Sequence, residues 1–215
     1  AVHAGTLIAV IFFFRNEIKF MLQSIRTSDT SLSEYRKLTY MLITATIPII
    51  AAGLGFSDFI EDRIFNVSSI AVANLIFAIV LFIVFLNRKE NLSIFEISFK
   101  AALLIGLFQC FALIPGASRS GMAITGALLI GLNLKDASKF TFLLSIPTIA
   151  GALIFLLVDF NHINFDYLNM LIGFVVSMIV AFFTIKYFLA FVERIGMVPF
   201  VIYRFILGLM LLIIF

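Results

Sequence analysis

Within LIPGASRSGMAITG, residues 113–126, Arg119 stands between Ser118 and Ser120, with Pro115, Gly116 and Gly121 close by. An arginine side chain is a planar fork of N–H donors that matches two phosphate oxygens at once. The flanking hydroxyls extend that donor set on both sides. Pro115 and Gly116 stop a helix arriving from the N-terminal side, and Ser120 can cap a second helix that follows. The first N–H groups of that helix lack internal partners and its dipole is positive there, which favours an anion. Three features of one short segment converge on phosphate. Arg119, Ser118 and Ser120 are the catalytic candidates, and Gly116, Gly121, Gln109 and Thr125 the substrate-binding ones. Gln109, ten residues ahead of Arg119, can serve a phosphate, a partner hairpin or a packing interface. The competing reading of Arg119 is structural, a charge paired with carbonyls or a carboxylate to pin the segment.

The surroundings make that charge costly. Of 215 residues, 63% are hydrophobic and 13% charged, against about a quarter charged in a soluble domain. Mean hydropathy is +1.18. The chain reads as an all-α polytopic membrane protein, a single integral domain over 1–215. Apolar runs at 1–14, 38–56, 70–86, 140–158, 167–189 and 198–215 approach the ~20 residues that cross ~30 Å of hydrocarbon. An unpaired arginine at mid-membrane costs at least ~2.5–3.5 kcal/mol, so Arg119 demands a partner or a polar cavity. The single cysteine, Cys110, excludes an intrachain disulfide, and no nucleic-acid signature is present.

Charge placement orders the spans. Arg15, Lys19, Arg26, Arg36 and Lys37 share one loop; Arg88, Lys89 and Lys100 share another; Lys135, Lys139, Lys186 and Arg194 follow. The 57–69 loop holds Arg63 against Asp58, Glu61 and Asp62, and 159–166 has no Lys or Arg. With the basic loops in the cytoplasm, six spans alternate and both chain ends lie outside. Two short arms remain, 101–114 and 121–132, which start and finish on the basic side. Each reaches only about 18–21 Å, so 101–132 is expected to be a re-entrant hairpin with PGASRSG at its tip. Irregular backbone at that depth needs burial in protein or a wet cavity.

IPIIAAGLGF (47–56) and IPTIAGALIF (146–155) agree at six of ten positions, Pro48 with Pro147 among them. The match points to duplicated halves, an architecture that often sets its site between them on broken helices. Arg204, near a span end, is expected to snorkel to the cytoplasmic face, with neutralisation of a diphosphate as the alternative. His3 is assigned to packing and His162 to a loop, since neither has metal-ligand spacing. Cys110 is expected in the core. The 27 Phe serve lipid contact and packing, and some could line a groove for a prenyl tail.

GLFQCFALIPGASRSG (106–121) resembles the second signature of the undecaprenyl-diphosphate phosphatase family, the bacitracin-resistance membrane proteins. Pro115, Gly116, Ser118, Arg119 and Ser120 match its pattern P-G-x-S-R-S-x-x-T, with Ala123 where Thr is usual and Thr125 two residues on. HAGTLIAV (3–10), IPIIAAGL (47–54), KAALLIGLFQ (100–109), FTFLLSIPTIAGA (140–152) and PFVIYRFILG (199–208) resemble family segments in family order. The resemblance covers essentially the whole chain. It implies an inverted-repeat bundle with paired re-entrant hairpins. It also implies hydrolysis of a C55 isoprenyl diphosphate, with a divalent cation (Mg²⁺ or Ca²⁺), at the outer face of the bacterial cytoplasmic membrane. The partners it implies are that lipid and membrane lipids, with homo-oligomerisation left open. The family's acidic first signature is not in the sequence, and no intramembrane carboxylate pair replaces it. Hence the chain is expected to lack the family's N-terminal part, and no metal ligand is assigned; an inactive fragment is the corresponding alternative.

Two other functions compete. Acid-phosphatase-like lipid phosphatases need His and Asp where Thr125 and Leu129 stand, which excludes them. A polyprenyl-phosphate transporter or flippase would also suit a duplicated bundle with a polar midplane site. A purely structural subunit gives no account of Arg119.

Overall fold

The structure is a computed structural model, and it describes residues 1–27, 29–55, 66–158 and 166–215. His162, the acidic cluster Asp58, Glu61 and Asp62 with Arg63, and most of the 159–166 loop lie outside the described residues. The described residues form nine α-helices: α1 Val2–Phe13, α2 Arg15–Arg26, α3 Ser33–Gly55, α4 Val67–Leu86, α5 Phe99–Cys110, α6 Arg119–Leu129, α7 Leu134–Val158, α8 Tyr167–Ile195 and α9 Val198–Ile214. Local chemistry sets the boundaries. Asn66, Ser98 and Asp166 each accept a main-chain N–H as N-cap of α4, α5 and α8, satisfying a donor that the first turn leaves orphaned. Gly196, at φ +82°, ends α8, and Pro199 sits in the first turn of α9, where its missing N–H costs nothing.

Among the described residues, four helices are long and apolar enough to cross a membrane: Thr30–Gly55, Val67–Leu86, Leu134–Leu156 and Tyr167–Ile195. Val2–Phe13 and Val198–Ile214 are shorter apolar helices, reaching about 18 and 26 Å. The stretch 15–37, expected as a loop, instead carries α2 and a 3-10 turn, Thr30–Leu32. Pro48 and Pro147 both lie inside long helices, α3 and α7, so each of the two related segments belongs to a long helix that carries an internal proline.

The basic segments gather at one end of the bundle. Lys37 donates to the Phe95 carbonyl at 2.9 Å, Lys139 pairs with Glu17 at 2.9 Å, and Lys135 pairs with Glu193 at 2.9 Å. At the same end the Leu92 N–H donates to Gly131 at 2.9 Å, and the Asn133 N–H donates back to Leu92 at 3.3 Å. These bonds tie the residues before α5 to those after α6. The pair α5–α6 therefore leaves from and returns to one end, as a re-entrant hairpin must.

Small residues let the hairpin pack deeply. Gly106 of α5 lies against the Ala45 carbonyl of α3, where a Cβ would collide with it. Ala102, Ile105, Ala123, Ala127 and Leu128 of the hairpin are fully buried with Met41, Ala45, Phe140 and Leu144. Close helix approach of this kind drives packing where lipid, not water, is the competing solvent. The outward residues of α3, α4 and α8, among them Ile47, Ile76, Ile83 and Leu171, are large, apolar and exposed.

Candidate functional site

The tip of the hairpin is built by a 3-10 turn, Phe111–Leu113, followed by a tight chain reversal. Ile114 donates to Phe111 at 3.0 Å and Ala117 to Ile114 at 3.1 Å. Gly116 has φ +96°, and a Cβ there would run into the Ile70 carbonyl of α4. Only glycine fits both conditions. Ser118 has φ 68°, a conformation that costs a non-glycine residue roughly 1–3 kcal/mol and that concentrates at functional sites. Its Oγ accepts the Gly121 N–H at 3.3 Å, making Ser118 the N-cap of α6. This corrects the assignment of Ser120 as cap: α6 begins at Arg119, one residue after Ser118, and Ser120 lies exposed inside its first turn.

A second arginine pins this tip. Arg204 of α9 is 3% exposed. Its Nη2 donates to the Gly116 carbonyl at 2.6 Å and its Nη1 to the Ala117 carbonyl at 3.2 Å. Its Nε donates to Asn74 Oδ1 at 2.7 Å. Arg204 does not snorkel, contrary to the sequence expectation. The carbonyls that the chain reversal leaves unpaired lie opposite α9 and satisfy the guanidinium inside the bundle. The pinning role considered for Arg119 thus belongs to Arg204. None of its partners is a carboxylate, so its positive charge is solvated by dipoles and adds to the field at the tip. Gly121 completes the arrangement, because a Cβ there would lie 3.1 Å from Arg204 Nη1 and 3.2 Å from Ser118 Oγ.

Arg119 is left free by this division of labour. It is half-buried, makes no hydrogen bond or ion pair among the described residues, and lines a cavity of 1360 Å³. That volume exceeds the usual ~300–1,000 Å³ of small-molecule pockets. The walls come from α1, α3, α7 and α8 and are largely apolar, with Val10, Ile49, Phe142 and Ile149 among them. Ser145, Thr148 and Ser177 also face it, although each hydroxyl donates to its own helix, at 2.6, 2.7 and 3.0 Å. His3, expected to pack, instead stands exposed in this wall, because the first turn of α1 borders the cavity.

The remaining candidates separate. Gln109 is 1% exposed and its Nε2 has no partner among the described residues; it lies outside the cavity wall. Thr125 is fully buried and donates to the Gly121 carbonyl at 2.7 Å, one turn behind the tip. Gly116 and Gly121 shape the tip backbone. Cys110 is half-buried, with Sγ 3.3 Å from the Gly106 carbonyl. Sequence reasoning missed Asn74, whose only signal was a lone amide within the apolar run of α4. Among the described residues no three His, Cys, Asp or Glu side chains gather to hold a metal, and no carboxylate lines the cavity.

A polytopic helical bundle with a re-entrant hairpin, an unpaired arginine at its tip and a large apolar cavity beside it defines an integral membrane protein. The chain belongs to the Bacitracin resistance protein BacA family, whose model matches residues 1–210. It is 42% identical to an undecaprenyl-diphosphatase of Teredinibacter turnerae, over 99% of this chain and 82% of that protein. It is also 42% identical to an undecaprenyl-diphosphatase of Saccharophagus degradans, over 97% of this chain and 79% of that protein.

Proposed function

We propose that the protein hydrolyses undecaprenyl diphosphate to undecaprenyl phosphate and inorganic phosphate, which recycles the lipid carrier of cell-wall synthesis and confers bacitracin resistance. The observation that carries the reading is Arg119, an unpaired guanidinium at a helix N-terminus on the edge of a 1360 Å³ apolar cavity. A prenyl chain fills the apolar walls, and the diphosphate lies against the tip. The oxygen of water joins the terminal phosphorus, the bridging P–O bond breaks, the lipid monophosphate leaves with the bridging oxygen, and the proton that water gives up passes to solvent.

Each residue of the tip has a part in that step. Arg119 holds two oxygens of the terminal phosphoryl group and offsets the charge that accumulates as the bond breaks. The N–H groups of Arg119 and Ser120, the two in the first turn of α6 that the cap at Ser118 leaves free, supply further donors for the same oxygens. The hydroxyls of Ser118 and Ser120 supply further donors. Ser118 also caps α6, so its backbone sets where the N–H groups aim. Arg204 touches no ligand; it fixes Gly116 and Ala117 and contributes long-range positive potential.

The cavity runs along helix halves remote from the basic end, past Gly53, Leu54, Ala152 and Phe155. With the basic end in the cytoplasm, the site opens toward the outer face of the bacterial cytoplasmic membrane. The divalent cation implied by the family resemblance, Mg²⁺ or Ca²⁺, finds no ligand set among the described residues, and no step here passes through it. It remains a proposal, tested by whether a chelator abolishes phosphate release and either ion restores it.

The deciding experiment measures inorganic phosphate released from undecaprenyl diphosphate by reconstituted protein. Release that falls by two orders of magnitude or more in Arg119→Ala supports the assignment, in line with removal of an oxyanion-type contact, about 10²–10³. Unchanged release in that variant would overturn the site. Transbilayer movement of polyprenyl phosphate without phosphate release would overturn the enzyme reading in favour of a transporter.

A further inference from the structure

The helix between α1 and α3 presents a surface that the lipid-diphosphate site does not use. α2 starts directly after the break at Phe14, at the basic end of the bundle. Ile18 and Met21 pack toward the core and Ser24 is buried, so that face is held by protein. Leu22 and Ile25 turn outward, 56% and 53% exposed. At helical spacing Arg15, Lys19, Leu22 and Arg26 fall along one side, with Ile25 at its edge. The sole acid of α2, Glu17, faces Lys139 at 2.9 Å, so α2 itself offers no carboxylate to that basic row. The Arg15 guanidinium lies 5.0 Å from the Phe12 ring centroid and its Nη1 donates to the Phe12 carbonyl at 3.1 Å, which places it at the junction with the apolar helix α1. Twelve residues of this composition are too few and too polar to cross a bilayer. They have instead the form of a helix lying in the membrane surface, apolar side chains down and basic ones at headgroup level.

We infer that α2 docks on the bilayer surface, with Leu22 and Ile25 entering it and Arg15, Lys19 and Arg26 binding the headgroups of anionic phospholipids. The partner is chosen by charge complementarity: three cations border an apolar edge that is more than half exposed, and anionic lipid attracts such clusters at short range. This surface is separate from the hairpin tip and stands or falls independently of the reaction there.

The chain contains no tryptophan, so Leu22→Trp gives a single fluorescent reporter in the full chain reconstituted in lipid vesicles. Its emission is expected to be blue-shifted and quenched by brominated phospholipids, with brominated phosphatidylglycerol quenching more than brominated phosphatidylcholine. Replacing Arg15, Lys19 or Arg26 with Gln lowers that preference by up to about fivefold each, high salt weakens it, and the triple variant loses it while keeping its melting temperature. Ile25→Trp serves as a second reporter should Leu22→Trp disturb folding. Water-like emission that ignores brominated lipids overturns the surface docking. Equal quenching by the two lipids with all three cations present overturns the headgroup selection.

Discussion

Arg204 and Asn74 hold each other through side chain and main chain at once. Arg204 Nε donates to Asn74 Oδ1 at 2.7 Å, and Asn74 Nδ2 donates to the Arg204 carbonyl at 2.7 Å. This exchange joins α4 to α9 and aims the rest of the guanidinium at the hairpin tip. Asn74→Ala leaves a buried charge short of an acceptor and a carbonyl short of a donor. We expect a loss of about 2–4 kcal/mol, read as a lower melting temperature, with phosphate release falling in parallel as the tip loosens.

Asn74→Asp separates the structural and electrostatic contributions of that pair. A carboxylate can still accept from Arg204 Nε but cannot donate to the Arg204 carbonyl, so the melting temperature falls, though less than in Asn74→Ala. It also cancels positive potential beside the tip, so KM for the lipid diphosphate rises by about tenfold with a smaller effect on kcat. A KM equal to that of the unsubstituted protein shows that the Arg204 charge does not reach the ligand.

Arg119 carries an unpaired charge in a largely apolar wall, which costs stability in the absence of ligand. Arg119→Met is therefore expected to raise the melting temperature while lowering kcat/KM by about 10²–10³. Arg119→Lys keeps the charge but loses the two-pronged geometry, and recovers only a small part of the activity. A concurrent fall in both stability and activity would identify Arg119 as a structural pin instead.

At Gly116 the backbone is left-handed and the Ile70 carbonyl occupies the place of a Cβ. Gly116→Ala must shift the tip away from α4 and take Arg204's partners with it. The expected cost is about 1–3 kcal/mol together with loss of activity. Gly173→Ala is the control, because a Cβ there meets only Val2 Cγ2, at 3.7 Å; it is expected to melt as the parent does.

At the basic end, Glu96 accepts the Ser93 N–H at 2.7 Å, and this hydrogen bond pulls its carboxyl below the ordinary value, with Lys37 adding to the effect. A lowered folded-state pKa contributes stability above the ordinary carboxylate range and loses it as pH falls through the folded value. Between about pH 5 and pH 3 the melting temperature of the parent should drop more steeply than that of Glu96→Gln. Parallel curves would show that the 93–96 turn holds without the carboxylate.

Much of this molecule was legible in its sequence because the membrane imposes few solutions. Long apolar runs, short arms and the placement of Lys and Arg led to a polytopic helical bundle and a hairpin over 101–132, since a backbone in lipid must satisfy its own hydrogen bonds and cannot cross on twelve residues. PGASRSG marked the tip because proline, glycine and a buried arginine together have no place in a simple span. The amphipathic helix α2 was hidden inside what read as a basic loop. Its apolar positions are few, and its packed face is defined only by contact with the rest of the bundle.

The sequence by itself determined that an arginine must be buried near the hairpin tip and that phosphate chemistry suits it. Only the tertiary structure decided which arginine is satisfied by the protein. Arg119 and Arg204 lie 85 residues apart and are chemically identical, so no local pattern tells which of them finds its partners within the protein. Their environments make the difference. Arg204 meets Asn74 and the carbonyls of Gly116 and Ala117, which desolvate and satisfy it. Arg119 meets a cavity and no acceptor among the described residues. A charge whose partners are all supplied by the protein holds the structure together, and a charge left without one is available to a ligand.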